Sequence, residues 1–336
     1  MEVSRTEVLD THAHIVPPSL LTALEQAPVA GFSARRTEQG WVVAVPGAGD
    51  TRPIGARMTG TAPRAAWLRQ TGVTRQVLSP WLDVLGAQLN PARARDWART
   101  VNDAMAESAA EHATAALASV ATDDGDRAAD DLLEAWKRPE FAGLLLNTDP
   151  PTGPAPHDPA FDPLWTVAAR EGIPVVLHPP TCGPSGDLTS LGTMGNVHGR
   201  LIDNTVAVTR LILAGVLDRH PRLRLVLVHG GGFLPYQAHR LDGGYRTKEA
   251  FTVELARERP SAYLADFHYD TVGLSGPAVG FLAGLVGAGR VLLGSDYPFA
   301  LGDPQPVETV RGSGLGDDAV DAVLHVNAKN LFRRPA

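Results

Sequence analysis

In Val8-Leu9-Asp10-Thr11-His12-Ala13-His14 a short apolar run passes directly into two histidines separated by one residue. On a β-strand successive side chains alternate between faces, so Asp10, His12 and His14 share one face. The two imidazoles then converge just past the strand's carboxyl end. That is metal-ligand geometry, although two histidines near an N-terminus also occur without a metal. The reading turns on whether other strands end in the remaining ligands.

Outward from this strand, Pro17-Pro18 breaks the backbone and a short helix covers residues 19–26. Residues 27–62 do not continue as a helix. Trp41-Val42-Val43-Ala44-Val45 reads as a strand among Gly and Pro punctuation, which marks an insertion. Beyond it the pattern is regular: a helix over 63–70, stopped by Gly72, precedes a strand over 73–78. Helices over 91–112 and 127–137 precede strands over 115–120 and 141–146, and a helix over 158–170 leads through Gly172 to a strand over 173–177. A helix over 196–217, with Leu201, Val208, Ile212 and Val216 on one face, precedes the branched apolar run 223–228 of a buried parallel strand. A helix over 234–258, interrupted near Gly243-Gly244, leads to a strand over 263–269. A helix over 277–285 leads to Val291-Leu292-Leu293, and one over 317–330 closes the chain.

Eight strands, each followed by helical sequence, predict an α/β fold: a (β/α)8 TIM barrel filling residues 1–336 as one domain, with a small insertion after strand one at 27–62 that contains a short β segment. An open doubly wound sheet is the alternative, but no glycine-rich phosphate loop follows the first strand.

Composition narrows the function class. The formal net charge of -7 comes with no run of Lys or Arg that would track a phosphate backbone, so nucleic acid is not an expected partner. The single cysteine, Cys182, excludes an internal disulfide and suits a reducing compartment. Met1-Glu2-Val3-Ser4-Arg5 holds no apolar signal core, and no apolar stretch approaches the ~20 residues that span a bilayer. The expectation is a soluble, cytoplasmic protein with no membrane partner.

In a barrel the chemistry gathers at the carboxyl ends of the strands. Strand one ends in His12 and His14, strand five in His178, strand six in His229 and strand eight in Asp296. Singly, each has a plain explanation: His178 as a buried histidine bonded to backbone, the glycines of His229-Gly230-Gly231-Gly232 as turn formers, Asp296 as a turn cap. Jointly, five metal-competent or acid-base groups at the ends of four strands are not explained by packing, because buried polar groups require partners. Of the other histidines, His112, His157, His220, His239 and His325 fall on helices or their ends and read as solvated or structural. His198 is a candidate for a pocket wall. His268, on the same face of strand seven as Asp270, is a candidate for a supporting hydrogen bond.

Together, Asp10-Thr11-His12-Ala13-His14, Val176-Leu177-His178-Pro179, Val228-His229-Gly230-Gly231-Gly232 and Leu293-Gly294-Ser295-Asp296-Tyr297-Pro298-Phe299 resemble the amidohydrolase superfamily, in particular its aminocarboxymuconate semialdehyde decarboxylase-like branch. The resemblance runs from strand one to the final helix. It implies one divalent metal ion, usually Zn2+ with Mn2+ as the second choice, held by His12, His14, His178 and Asp296. It also implies that His229 is the catalytic acid-base group beside the metal, with Asp296 serving catalysis as well. Two arginines match by position and are candidate substrate-binding residues. Arg52 resembles an inserted-loop arginine that holds a substrate carboxylate, and Arg240 resembles one that reaches into the neighbouring subunit's pocket, which implies a homodimer. The loop after strand five departs from the pattern: Thr181-Cys182-Gly183-Pro184-Ser185-Gly186-Asp187 lacks flanking aromatics, and Trp81 either supplies a stacking face from another side or belongs to the core. The substrate therefore stays open.

Three neutral imidazoles and one carboxylate leave a divalent ion with net positive charge and room for an exchangeable ligand. Such a site suits a metal-dependent, non-oxidative decarboxylase acting on a small unsaturated or aromatic carboxylate. The alternative is a hydrolase or hydratase acting on an amide, lactone or unsaturated acid. A non-catalytic binding protein on the same scaffold is the third reading, set against the retention of all five site groups.

Overall fold

Runs rich in Val, Leu and Ile pair in parallel and are buried on both faces, with helices outside and packed side chains inside. In the computed structural model, which describes residues 7–180, 183–247 and 254–334, the strands are β1 (Leu9–Ile15), β2 (Ser33–Thr37), β3 (Gly40–Val45), β4 (Gly49–Asp50), β5 (Arg75–Pro80), β6 (Ala115–Ala118), β7 (Phe141–Asn147), β8 (Pro174–His178), β9 (Arg224–Leu227), β10 (His268–Asp270) and β11 (Val291–Leu292). Eight of them form one parallel sheet in the order β1-β5-β6-β7-β8-β9-β10-β11. The chain then returns to β1. Thr11 N donates to Leu293 O at 2.9 Å, Asp296 N to His12 O at 2.8 Å and His14 N to Tyr297 O at 2.7 Å, which closes the (β/α)8 barrel. Val77, Leu117, Leu145, Val176, Val226 and Leu292, from six of the eight strands, form one buried cluster with Leu331 and Phe332 of the last helix.

Local signals explain the helix ends. Gly72 and Gly172 stop the helices Thr61–Thr71 and Asp162–Glu171 in the left-handed region, at φ 77° and 64°, which costs glycine little. The Asp124 side chain caps Gly125–Trp136 by accepting from Arg127 N.

Between residues 27 and 62 the single expected strand is β3, and β2 and β4 flank it in an antiparallel sheet. This sheet is anchored through Phe32, which stacks on Trp97 at 3.8 Å between centroids. Three other expectations need correction. The stretch 263–269 is mostly a 3-10 turn, Pro260–Asp266, and only His268–Asp270 pairs, because Tyr263 turns its hydroxyl to Asp218 and leaves the sheet direction. The helix Leu234–Thr247 passes unbroken through Gly243-Gly244 and kinks instead at Gln237; residues 248–253 of the expected helix lie outside the described residues. The expected 196–217 helix is a π turn Gly195–Gly199, then Arg200–Leu213, then a separate turn after Gly215 at φ 68°. The closing helix runs as expected through Asp317–Asp321 and Asn327–Phe332, with the turn between them, Ala322–Val326, wound as a π turn.

Candidate metal centre and active site

The barrel brings His12 and His14 of β1, His178 of β8, His229 after β9 and Asp296 after β11 to one point at the carboxyl ends. Ring centroids of His12 lie 5.1, 5.2 and 5.3 Å from those of His14, His178 and His229. The donor atoms form two overlapping triplets, His12–His14–Asp296 and His12–His178–His229, each within 4.8 Å of one another. Both His229 (φ 54°) and Asp296 (φ 59°) sit in the left-handed region, unusual for residues with a Cβ and a mark of geometry held by surrounding structure. The glycines after His229 are more than turn formers. A Cβ on Gly232 would lie 2.3 Å from Leu201 O, so the chain needs glycine to pass against the helix Arg200–Leu213.

Hydrogen bonds made at the outer ring nitrogens decide what faces the centre. His12 Nδ1 lies 2.6 Å from Asp270 Oδ2, and His178 Nδ1 donates to Pro179 O at 2.8 Å. His14 Nδ1 points at Pro80 O, 3.4 Å away. The three Nε2 atoms are thereby directed inward. Burial pushes the His12 imidazole down, but the Asp270 carboxylate outweighs it and raises His12 to about 9. Burial likewise pushes the Asp296 carboxyl up, yet the imidazoles of His14 and His12 hold it below the ordinary carboxylate range. Asp296 Oδ1, buried and lacking hydrogen-bond geometry, lies 3.2 Å from His14 Nε2 and 3.4 Å from His12 Nε2. His12 Nε2 and His14 Nε2 are themselves 3.1 Å apart. This is a place built for positive charge, supplied either by a proton on His12 or by a cation, and the N and O donor set suits a divalent metal.

His229 differs. Asn204 Nδ2 donates to Val228 O at 2.9 Å and lies 3.4 Å from His229 Nδ1. A flipped amide would set oxygen against the Val228 carbonyl, so the nitrogen must face both groups. His229 Nδ1 therefore accepts, and the proton of the neutral ring sits on Nε2. Burial, then the neighbouring His12, lowers this imidazole to about 4, which keeps it neutral at ordinary pH.

A cavity of about 840 Å³ opens from this point, lined by His14, His178, His229 and Asp296 at its deep end. Arg52 lines it from the insertion, its guanidinium 5.2 Å from the Trp81 ring and 5.1 Å from the Phe299 ring. Trp81 is both core and wall, 3 % exposed yet facing the cavity. His198 is a wall residue as well. Arg240 does not line this cavity; it is exposed on the helix Leu234–Thr247. Thr181 and Cys182 lie outside the described residues. His268 does not support the centre: it is packed near Arg290, and Asp270, two residues on, makes the contact instead.

Several working residues carried no sequence signal of their own. Asp270 and Asn204 orient histidines far away in the chain. Asp10 is turned from the centre to Ser295 Oγ, Gln76 Nε2 and His12 N, and burial pushes its carboxyl up to about 6 against those bonds. Arg64, on an otherwise ordinary helix, is buried and donates to His14 O and Gln76 Oε1. Two working residues do have a signal in the sequence: Asp10 opens the Asp10-to-His14 motif, and Phe299 ends the Gly294-to-Phe299 phrase, its ring 5.1 Å from that of His14.

A closed parallel barrel with a histidine and carboxylate cluster at its carboxyl ends defines a metal-dependent barrel enzyme of the amidohydrolase type. The amidohydrolase family model matches residues 9–334, and the chain belongs to that family. It is 25% identical over 266 residues to a 2-amino-3-carboxymuconate-6-semialdehyde decarboxylase of Dictyostelium discoideum, covering 76% of this chain and 74% of that one. It is 28% identical over 274 residues to a gamma-resorcylate decarboxylase of Rhizobium sp. (strain MTP-10005), covering 78% and 84%. Among solved structures it resembles the 5-carboxyvanillate decarboxylase of Novosphingobium aromaticivorans in complex with manganese and 4-hydroxy-3-methoxy-5-nitrobenzoic acid, with a TM-score of 0.77, 20% identity and coverage of 98% and 97%.

Proposed function

We propose that this protein is a metal-dependent, non-oxidative carboxy-lyase that decarboxylates an aromatic or unsaturated carboxylic acid. The observation that carries the reading is the Asn204 contact, which leaves His229 as a neutral imidazole with its proton on Nε2 at the floor of the cavity. A ring nitrogen that bears a proton is a donor towards the cavity and not a ligand. In this reading His12, His14, His178 and Asp296 hold the metal. When bound, the ion supplies Lewis-acid polarisation of a substrate oxygen. His229 takes a second proton from solvent and, as the imidazolium, passes its Nε2 proton to the ring or alkene carbon that bears the carboxylate, which returns the ring to neutral; the bond from that carbon to the carboxyl carbon then breaks and carbon dioxide leaves. Arg52, held between Trp81 and Phe299, meets an anionic group of the substrate with planar donors. The decarboxylase names of the relatives favour the same chemistry over hydrolysis.

Three imidazoles and a carboxylate suit zinc, and manganese is the second candidate because it accompanies the carboxyvanillate enzyme. We further propose a homodimer in which Arg240, outward on its own barrel, completes the other chain's pocket. The lone cysteine suits the cytoplasm, and no helix among the described residues is long and apolar enough to cross a membrane. Metal-loaded enzyme incubated with a panel of aromatic and unsaturated acids tests the central claim by carbon dioxide release and product mass. Uptake of water without carbon dioxide would replace it with the hydrolase or hydratase reading.

A further inference from the structure

The histidine cluster marks the deep end of the cavity; beyond it Asp83, Thr193, Asn196, His198 and Arg200 share the lining with an apolar wall. Val197, Phe233 and Leu301 line its outer part and are 37%, 39% and 53% exposed. These are three of the six large hydrophobic side chains exposed among the described residues, gathered around one opening. Leu201, Val272 and Leu274 continue the apolar wall inward towards His229. Arg200, the cation on this side, is turned to Pro179 O at 3.2 Å. A volume of about 840 Å³ falls towards the upper part of the ~300–1,000 Å³ range of sites for drug-sized ligands. A single substituted ring held between the histidine cluster and Arg52 leaves the outer part with nothing to bury.

We propose that the substrate is amphiphilic: an aromatic acid head group at the histidine cluster and Arg52, carrying an apolar chain that lies along Leu274, Phe233, Val197 and Leu301. The identity of the head group rests on the decarboxylase reading; the chain subsite rests on the cavity wall. An apolar chain is the favoured occupant because the wall is continuous with the catalytic floor, and exposed apolar residues concentrated at one opening mark something to be covered. The chain gains affinity by leaving water, up to roughly fourfold per buried methylene.

The test is calorimetric titration of zinc-loaded protein with salicylates bearing methyl, propyl, pentyl or heptyl ortho to the carboxylate, with carbon dioxide followed in parallel and oligomeric state measured by sedimentation. Affinity is expected to rise along the series, and Val197→Ser combined with Leu301→Ser is expected to flatten that rise. A flat series in the unmodified protein, or a slope the double substitution does not change, overturns the subsite. Dissociation of an oligomer by the same substitutions together with a flat series also overturns it, and assigns the opening to a second copy of the chain. A rising series without carbon dioxide leaves the chain subsite standing and removes the decarboxylase reading. Carbon dioxide with a flat series does the reverse, and binding of no member removes both.

Discussion

Two histidines, His12 buried and His268 half-buried, lie two strands apart on opposite ends of the barrel, and their surroundings invert their chemistry. His12, on the carboxyl side of β1, has Asp270 and Asp296 against it and is raised to about 9. His268, at the amino end of β10, faces Arg290 and Arg224; burial, then Arg290, lowers it to about 4. Burial lowers both imidazoles; at His12 the Asp270 carboxylate outweighs it, and at His268 the arginines add to it. One strand carries both lessons, because Asp270, which charges His12, is two residues from His268 on the same face. The carboxyl end is arranged to hold a cation, and the amino end to exclude one.

The largest break in that contrast is removal of a donor. His12→Ala or Asp296→Ala should strip most metal and most activity, read by elemental analysis beside turnover; full metal occupancy in both would sink the ligand assignment. Next comes His229→Asn, which should keep its metal and lose roughly 10²-fold or more in turnover, the scale of a positioned acid-base group. Loss of metal here would make His229 a ligand instead. Asp270→Asn keeps the shape at His12 but weakens the charge behind it, so metal affinity should fall about 10- to 100-fold in chelator competition. If affinity is unchanged, the carboxylate is only structural.

Assembly gives a subtler test. Arg240→Ala should weaken substrate binding without touching metal content, and mixing it with His229→Asn chains should restore activity, since one site of the mixed dimer has an intact His229 and an intact partner Arg240. Exchanged chains with no rescue would exclude the shared site. The smallest effect belongs to the amino end. Because His268 is lowered in the folded chain, the unfolded chain takes up the proton first, so its contribution to stability is present above about 6.5 and lost as the pH falls to about 4. Between neutral pH and pH 5 that contribution is about 2 kcal/mol, and His268→Gln should remove this part of the pH dependence in denaturant titrations. An unaltered slope would place the acid sensitivity elsewhere.

The donors were legible in the sequence because a barrel converts a simple rule, polar residues at the ends of apolar strands, into proximity. His12, His14, His178, His229 and Asp296 each end such a run, and all five meet. What supports them was not legible. Asn204 sits on a helix face among Ile and Val neighbours, and Asp270 was read only as a companion of His268; their partners, His229 and His12, are 25 and 258 residues away. Arg64 has the look of a surface helix residue and becomes buried only because β1 and β5 offer it His14 O and Gln76. The misread strand at 263–269 has the same origin. Its aromatic residues favour strands in general, but Tyr263 finds its partner Asp218 off the sheet, and packing overrides propensity.

The seam between β1 and the segment after β11 has a consequence for the order of folding. Thr11 Oγ1 donates to Leu293 O across 282 residues, and the same seam brings Asp296 to His12. Contacts this distant in the chain form late, because the loop they close must be ordered first. A chain emerging from the ribosome can present His12 and His14 long before Asp296 has been synthesised, so it holds only part of the donor set. Metal captured in its final coordination is then a signal that both ends of the chain have met, and loading should follow barrel closure rather than guide it.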